Sequence, residues 1–133
     1  MQPISDLKTL LTHMQPELNP GRYAFVSLPP GVTLDAADIV ASVHEPEGLA
    51  VILAEQTALD LDLPVAFTAA WITLTVHSDL AAVGLTAAFA QALAQAGISC
   101  NVVAGVHHDH LFVPVEQAER AMEALHTLQR STA

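Results

Sequence analysis

The sequence has little of three things that many functional classes require: cysteine, basic residues and long apolar runs. Cys100 is the single cysteine among 133 residues, which excludes an intrachain disulfide and a metal site built from several thiolates. Only four Lys and Arg residues stand against 14 Asp and Glu residues, and both halves of the chain are acidic. Without a basic face, we expect no binding to nucleic acid and none to an anionic membrane surface.

Long apolar runs are also missing, since no stretch approaches the roughly 20 residues that a membrane-spanning helix needs. The first residues lack a basic region followed by an apolar core, so no signal peptide is expected. These absences predict a soluble cytoplasmic protein. Hydrophobic residues nevertheless make up 52% of the chain and charged residues 14%, which indicates a folded protein with extensive burial, in one domain or two small ones.

The second half of the chain carries the clearer secondary-structure pattern, in the order β-α-β-β-α. Side chains alternate along a strand at residues 71–77, and the period becomes helical from residue 80 to residue 96, before a left-handed cap at Gly97. Strands follow at residues 100–107 and 110–115, and an amphipathic helix begins at Glu116. The strand at 100–107 is apolar on both faces, which predicts a central position in the sheet. This order is the beginning of a ferredoxin-like unit.

The first half reads as a second, degenerate copy. The pattern predicts a helix at residues 4–14 capped by Ser5, a strand at 23–28, a hairpin of 39–44 with 49–53, a helix at 55–63 and a weak strand at 65–69. The second unit lacks its fourth strand, so we predict that residues 23–28 complete its sheet; a neighbouring subunit is the alternative. The C-terminal unit is therefore not expected to be stable alone.

The bend after the strand at 71–77 is the best candidate for a ligand site. The start of a helix presents unpaired N–H groups to a carboxylate, and Asp79 lies close by to receive an ammonium group. Gly84 has no side chain and would let backbone approach a ligand closely. The same residues allow a purely structural interpretation, in which Ser78 or Asp79 caps the helix and Gly84 lets helix and sheet pack.

Four histidines raise the alternative of a metal site, because zinc and nickel favour imidazole. His107, His108 and His110 surround Asp109 in a tight hairpin, and His77 lies in the earlier strand. Alternating residues of a hairpin point to opposite faces, so we favour ordinary histidines that contact a ligand or titrate near neutrality. We expect neither a metal nor a cofactor, and no motif predicts catalytic residues.

Two stretches of the second half resemble the ACT domain. They are the run from Ile72 to Ala87 and the segment Leu93-Ala-Gln-Ala-Gly-Ile98 followed by Asn101, which is similar to the family's "Leu-x-x-x-x-Ile-Asn" pattern. Residues 23–29 and 45–49 look like a small bacterial group of two-ACT proteins of about this length. The resemblance implies an α+β fold of two interlocked ferredoxin-like (βαββαβ) modules, at residues 1–64 and 65–133. Their antiparallel sheets would carry helices on one face.

The resemblance also implies a function. ACT domains are regulatory modules that generally bind amino acids, often across a dimer interface, so it implies a non-enzymatic protein that senses an amino acid or similar small metabolite. We expect a homodimer or larger homo-oligomer, without an attached catalytic domain, that acts on a partner enzyme. The implied ligand-binding residues are His77, Ser78, Asp79, Val83, Gly84, Leu85 and Asn101, with His108 and His110 as auxiliary residues. A ligand-free interaction module and a metal-binding histidine hairpin are the alternatives.

Overall fold

The computed structural model describes residues 6–132. Its helices and strands are, in chain order, α1 (Leu7–His13), β1 (Pro16–Leu18), β2 (Tyr23–Ser27), β3 (Ile39–Glu45), β4 (Gly48–Ala54), α2 (Glu55–Asp60), β5 (Val65–Leu74), α3 (Leu85–Gln95), β6 (Asn101–Ala104), β7 (Asp109–Pro114) and α4 (Ala118–Thr132). Short 3-10 turns precede β3 and α4, at Ala36–Asp38 and Val115–Gln117. Antiparallel strand pairs with helices confirm the predicted α+β class.

The chain forms two compact units. Residues up to Asn19 join those from Trp71 onward in a first unit, which we call the composite unit, and Pro20–Ala70 form the second, which we call the inserted unit. Strand β5 begins in the inserted unit and ends in the composite unit. The division into family modules at residues 1–64 and 65–133 stays a prediction, because units of packing need not coincide with family modules.

An N-terminal strand completes the sheet of the composite unit, as predicted, but it is a different strand from the predicted one. The completing strand is β1, which pairs antiparallel with β5 in the register Pro16↔Leu74 and Leu18↔Ile72. Residues 23–28 do pair with β5, as β2, but with its residues 65–69, which belong to the inserted unit, so they do not complete the sheet of the composite unit. Pro16 begins β1, because proline is tolerated at the first position of a strand although it usually interrupts regular secondary structure.

Strand β6 occupies a different place from the predicted one. The order in the composite unit runs β5, β7, β6, so β6 is the outer strand and β7 the inner one. The burial of the side chains agrees with this order, since Val102 and Val103 of β6 are only half-buried, whereas Leu111 and Phe112 of β7 are fully buried. The predicted central position of residues 100–107 was therefore wrong.

Helix α1 belongs to the core of the composite unit. Asp6 caps it, with Oδ2 accepting a hydrogen bond from the Thr9 N–H at 2.9 Å; the predicted cap Ser5 lies outside the described residues. Leu10 and Met14 are completely buried, and the Gln129 side chain of α4 donates to the Thr12 carbonyl at 3.1 Å. The packing of α1 and α3 against α4 places the first turn of α1 near the start of α3.

The inserted unit has its own small core. The hairpin of β3 and β4 closes in the predicted place, with Glu45 paired to Gly48. Its buried cluster consists of Ala24, Val26, Leu28, Val51, Leu53, Ala58 and Leu63. Helix α2 is shorter than the predicted helix at 55–63 and ends at Asp60. Within residues 6–132, no helix combines the length and apolar character that crossing a membrane requires.

Candidate functional site

The loop between β5 and α3, residues 75–84, is held at its start and folded back in its middle. Thr75 donates to the Gln15 carbonyl twice, from its N–H at 2.9 Å and from its hydroxyl at 3.0 Å. Asp79 Oδ1 accepts from the Ala81 N–H at 2.9 Å, and the Asp79 carbonyl accepts from the Ala82 N–H at 2.9 Å. Asp79 therefore stabilises a turn inside the loop.

Helix α3 begins at Leu85, five residues later than predicted, and Gly84 is its N-cap with φ +102°. The prediction that Ser78 or Asp79 caps this helix was wrong, because a complete turn separates both residues from its first residue. A glycine has no side chain with which to cap, so the first N–H groups of α3 find no side-chain acceptor at their cap residue. A Cβ at Gly84 would lie 2.9 Å from Leu7 Cδ2, so this glycine also allows α1 and α3 to pack closely.

Asp109 brings a buried carboxylate to the same place from the other side. It is the first residue of β7, is paired with Ala104 of β6, and is only 7% exposed. Its Oδ2 lies 3.5 Å from the Ser78 hydroxyl, a long and therefore weak hydrogen bond, since such bonds usually measure about 2.5–3.0 Å. Burial raises the pKa of Asp109, and Ser78, His110 and His108 partly oppose that shift.

These groups surround a cavity of about 130 Å3. It is lined by Ser78, Asp79, Leu80, Ala82, Gly84, Leu85, Thr86, Ala104 and Asp109. The volume corresponds to about four water molecules at ~30 Å3 each, which suits a ligand the size of the smaller amino acids. The cavity therefore joins the start of a helix to a buried carboxylate.

The structure brings four of the predicted ligand-binding residues to this cavity: Ser78, Asp79, Gly84 and Leu85. Val83 points elsewhere and is 84% exposed. Asn101 lies at the opposite end of β6 from Ala104, about 10 Å away at ~3.3 Å per residue. Five lining residues were not predicted as ligand-binding residues: Leu80, Ala82, Thr86, Ala104 and Asp109. Of these, only Asp109 carries a charge, and it comes from a hairpin distant in sequence.

The histidines lie around the cavity without lining it. The His77 ring meets the His107 ring edge-on, with centroids 5.2 Å apart. Nδ1 of His108 is buried and has no hydrogen-bond partner among the described residues. In the part of the chain that the structure describes, no three His, Cys, Asp or Glu side chains converge closely enough to hold a metal ion.

His110 is engaged by Trp71. The indole Nε1–H donates to His110 Nδ1 at 3.1 Å, and the Thr73 hydroxyl lies 3.3 Å from the same nitrogen. An indole can only donate, so Nδ1 carries no proton in this arrangement and the imidazole is neutral. Burial is the main cause that lowers the pKa of His110.

Two larger depressions carry weaker arguments for a site. A groove of about 530 Å3 lies between α3 and α4, and a second, of about 310 Å3, lies in the inserted unit beside the Arg22–Glu55 ion pair. In the groove, the Arg120 guanidinium is occupied by the Ala96 carbonyl at the end of α3. Neither depression is lined by a buried carboxylate, so the smaller cavity has the stronger chemistry.

Family comparisons cover nearly the whole chain. One model described as an ACT domain matches residues 2–70, and a second ACT domain model matches residues 67–127. No curated protein is similar enough to this chain to count as a match.

Solved structures give the same fold. A Vibrio cholerae protein of unknown function, described as a possible transport protein, is 44% identical, with a TM-score of 0.78 over 92% of this chain and 95% of that one. An Agrobacterium tumefaciens protein is 17% identical, with a TM-score of 0.67 over 88% of this chain and 90% of that one. The ligand-free regulatory subunit of aspartate kinase from Thermus thermophilus is 14% identical, with a TM-score of 0.58 over 87% of this chain and 98% of that one.

Proposed function

Because the chain belongs to the ACT domain family, whose members are small-molecule-binding regulatory domains, we propose that it senses an amino acid or similar small metabolite. The ligand would occupy the cavity between the start of α3 and Asp109. ACT domains are regulatory and not catalytic, and we propose accordingly that this protein is not an enzyme.

One observation carries the proposal: the cavity offers opposite charges at its two sides. The N–H groups of Leu85 and Thr86 lie at the positive end of the α3 dipole, behind a cap residue that has no side chain. The carboxylates of Asp79 and Asp109 line the same cavity. A free amino acid is a zwitterion, so its carboxylate suits the helix end and its ammonium group suits the carboxylates.

The geometry supports Ser78, Asp79, Gly84 and Leu85 as ligand-binding residues and adds Asp109. His77, Val83 and Asn101, with His108 and His110 as auxiliaries, stay predictions of the resemblance. A homodimer or larger assembly and the regulation of a partner enzyme are likewise predictions of the resemblance, and a cytoplasmic location stays a prediction from the sequence composition. The regulatory subunits of aspartate kinase with the same fold make an enzyme of amino-acid metabolism a reasonable partner.

A thermal-shift screen with the 20 common amino acids tests the proposal. A ligand at about 100 times its Kd stabilises the native state by ~2.7 kcal/mol, which raises the melting temperature measurably. Ala104→Leu would fill the cavity from β6 and should abolish the shift, whereas Ala87→Leu on the exposed side of α3 should preserve it. If no amino acid raises the melting temperature at millimolar concentration, amino-acid sensing is rejected.

A ligand-free interaction module is the second candidate, and exposed apolar side chains favour it. Leu80, Val83 and Val106 are 65%, 84% and 68% exposed on the two loops beside the cavity. Replacing Val83 and Val106 by serine should then abolish the capture of a partner enzyme from native lysate. Retained capture by this variant would contradict the module hypothesis.

A further inference from the structure

The cavity has an excess of negative charge. Two of its lining residues are Asp79 and Asp109, and none is Lys, Arg or His. The nearest histidine on the same strand, His110, is held neutral by the indole of Trp71. The protein as a whole has only four Lys and Arg residues. Of these, Arg120 is bonded to the Ala96 carbonyl and Arg22 to Glu55, each outside this cavity.

Of the two carboxylates, Asp109 has the greater need of hydrogen-bond donors and a counter-charge, because it is buried. It is 7% exposed, and the Ser78 hydroxyl, at 3.5 Å, is the one side-chain donor that bonds it within residues 6–132. A carboxylate can accept about four hydrogen bonds, and an ionised one that is removed from water requires a counter-charge. An ammonium group, with three donors and a positive charge, supplies both in a space of this size.

Resting on the proposed function, we propose that Asp109 determines the specificity of the cavity. Its carboxylate binds the ligand's ammonium group and excludes amino acids whose own side chain carries a carboxylate. With the ligand's main carboxylate at the start of α3, a side-chain carboxylate of the ligand would lie in a cavity of about 130 Å3 that is already lined by the carboxylates of Asp79 and Asp109. Like charges at such distances repel, and no lining residue carries a compensating positive charge.

The test compares affinities for amino acids of equal size that differ by one charge. Isothermal titration calorimetry is carried out with all 20 amino acids, in which asparagine with aspartate and glutamine with glutamate are the matched pairs. The natural protein should bind the neutral member of a pair at least ~10-fold more tightly than the acidic member. This ratio needs no variant, so it tests selectivity even if a substitution at Asp109 impairs folding.

Asp109→Asn keeps the shape of the side chain and removes its charge. It should weaken the binding of neutral amino acids at least ~10-fold and bring the matched ratio close to one. Glu47→Gln removes an exposed charge from the turn between β3 and β4 and should change neither quantity. Circular dichroism of each variant shows whether it is folded.

Each outcome decides the proposal. A neutral or basic amino acid as the tightest ligand, weakened by Asp109→Asn, supports it. An acidic amino acid as the tightest ligand, or a change below 2-fold in folded Asp109→Asn, overturns the role of Asp109 and leaves amino-acid sensing intact. Absence of binding by all 20 amino acids overturns both.

Discussion

At the scale of single residues, the hydrogen bond between Trp71 and His110 requires the His110 imidazole to be neutral in the native state. The indole needs an acceptor, and only a neutral imidazole with a bare Nδ1 can provide one. Burial lowers the pKa of His110 below its usual value of 6.5, and His108 adds to this effect while Asp109 opposes it. The native state therefore binds a proton less readily than the unfolded chain.

This difference predicts how stability depends on pH. The contribution of His110 is fully present above pH 6.5, where both states are neutral, and is lost as the pH falls through the lowered pKa of the folded state. His110→Asn, whose side-chain oxygen can accept from Trp71 and does not titrate, should reduce this loss. Urea unfolding at several pH values, followed by the fluorescence of the single tryptophan, measures it. Identical pH profiles for both proteins would contradict the assignment.

Sequence reasoning located the part of the cavity that is contiguous in the chain. Ser78, Asp79, Gly84 and Leu85 were predicted because a strand, a polar bend and a helix start follow one another directly. Asp109 was read as a turn residue, since no local pattern shows that a hairpin residue 31 positions later in the chain faces Ser78. The available signal was an acidic residue two positions before the apolar run Leu111–Val113, where a buried acidic side chain is costly unless it has a role.

At the scale of elements, α3 is bounded by two glycines that adopt positive φ. Gly84 precedes its first residue with φ +102°, and Gly97 follows its C-cap with φ +76°. The sequence predicted the left-handed cap at Gly97, and the structure confirms it. The Ile98 N–H donates to the Leu93 carbonyl at 2.9 Å, in the pattern that a left-handed cap produces. The sequence did not predict the cap at Gly84, since the apolar period continues through residues 80–84 without forming helix.

These two glycines form a matched pair for substitution. Alanine at either position should destabilise the protein by about 1–2 kcal/mol, because L residues rarely adopt these angles. A Cβ at Gly97 meets nothing within 4 Å, whereas one at Gly84 lies 2.9 Å from the flexible end of Leu7. Since that methyl group can rotate away, the two unfolding free energies should agree within about 0.5 kcal/mol. A much larger loss for Gly84→Ala would show that the Leu7 contact is rigid.

The errors in strand placement have a common physical origin. Residues 100–107 are apolar on both faces, yet β6 is the outer strand, so its half-buried valines must be explained by the edge position. Strand β1 has three residues and begins with proline, which leaves too short a pattern for any periodicity argument. In both cases long-range pairing overrides a local signal, and long-range pairing cannot be read from composition.

At the scale of the whole molecule, the fold joins the two ends of the chain in one unit. The second half of the sequence lacks the fourth strand of its unit, so its sheet alone would leave an apolar strand edge unpaired. This missing strand predicted that a strand from the N-terminal half completes the sheet, and β1 does so. The sequence could not identify β1 as that strand, since residues 23–28 have the better strand composition but pair inside the inserted unit.

This arrangement predicts that α1 is needed for the stability of the unit that contains the candidate site. Leu10 is fully buried, so Leu10→Ala should destabilise the protein by about 2–5 kcal/mol through lost contacts and a new cavity. Leu7→Ala, on the same helix but 36% exposed, should cost less than half as much. Urea unfolding followed by the fluorescence of Trp71 reports on the same unit, because Trp71 lies in it. If Leu10→Ala cost less than about 1 kcal/mol, α1 would be dispensable, and the composite unit would be stabilised mainly by the residues from Trp71 onward.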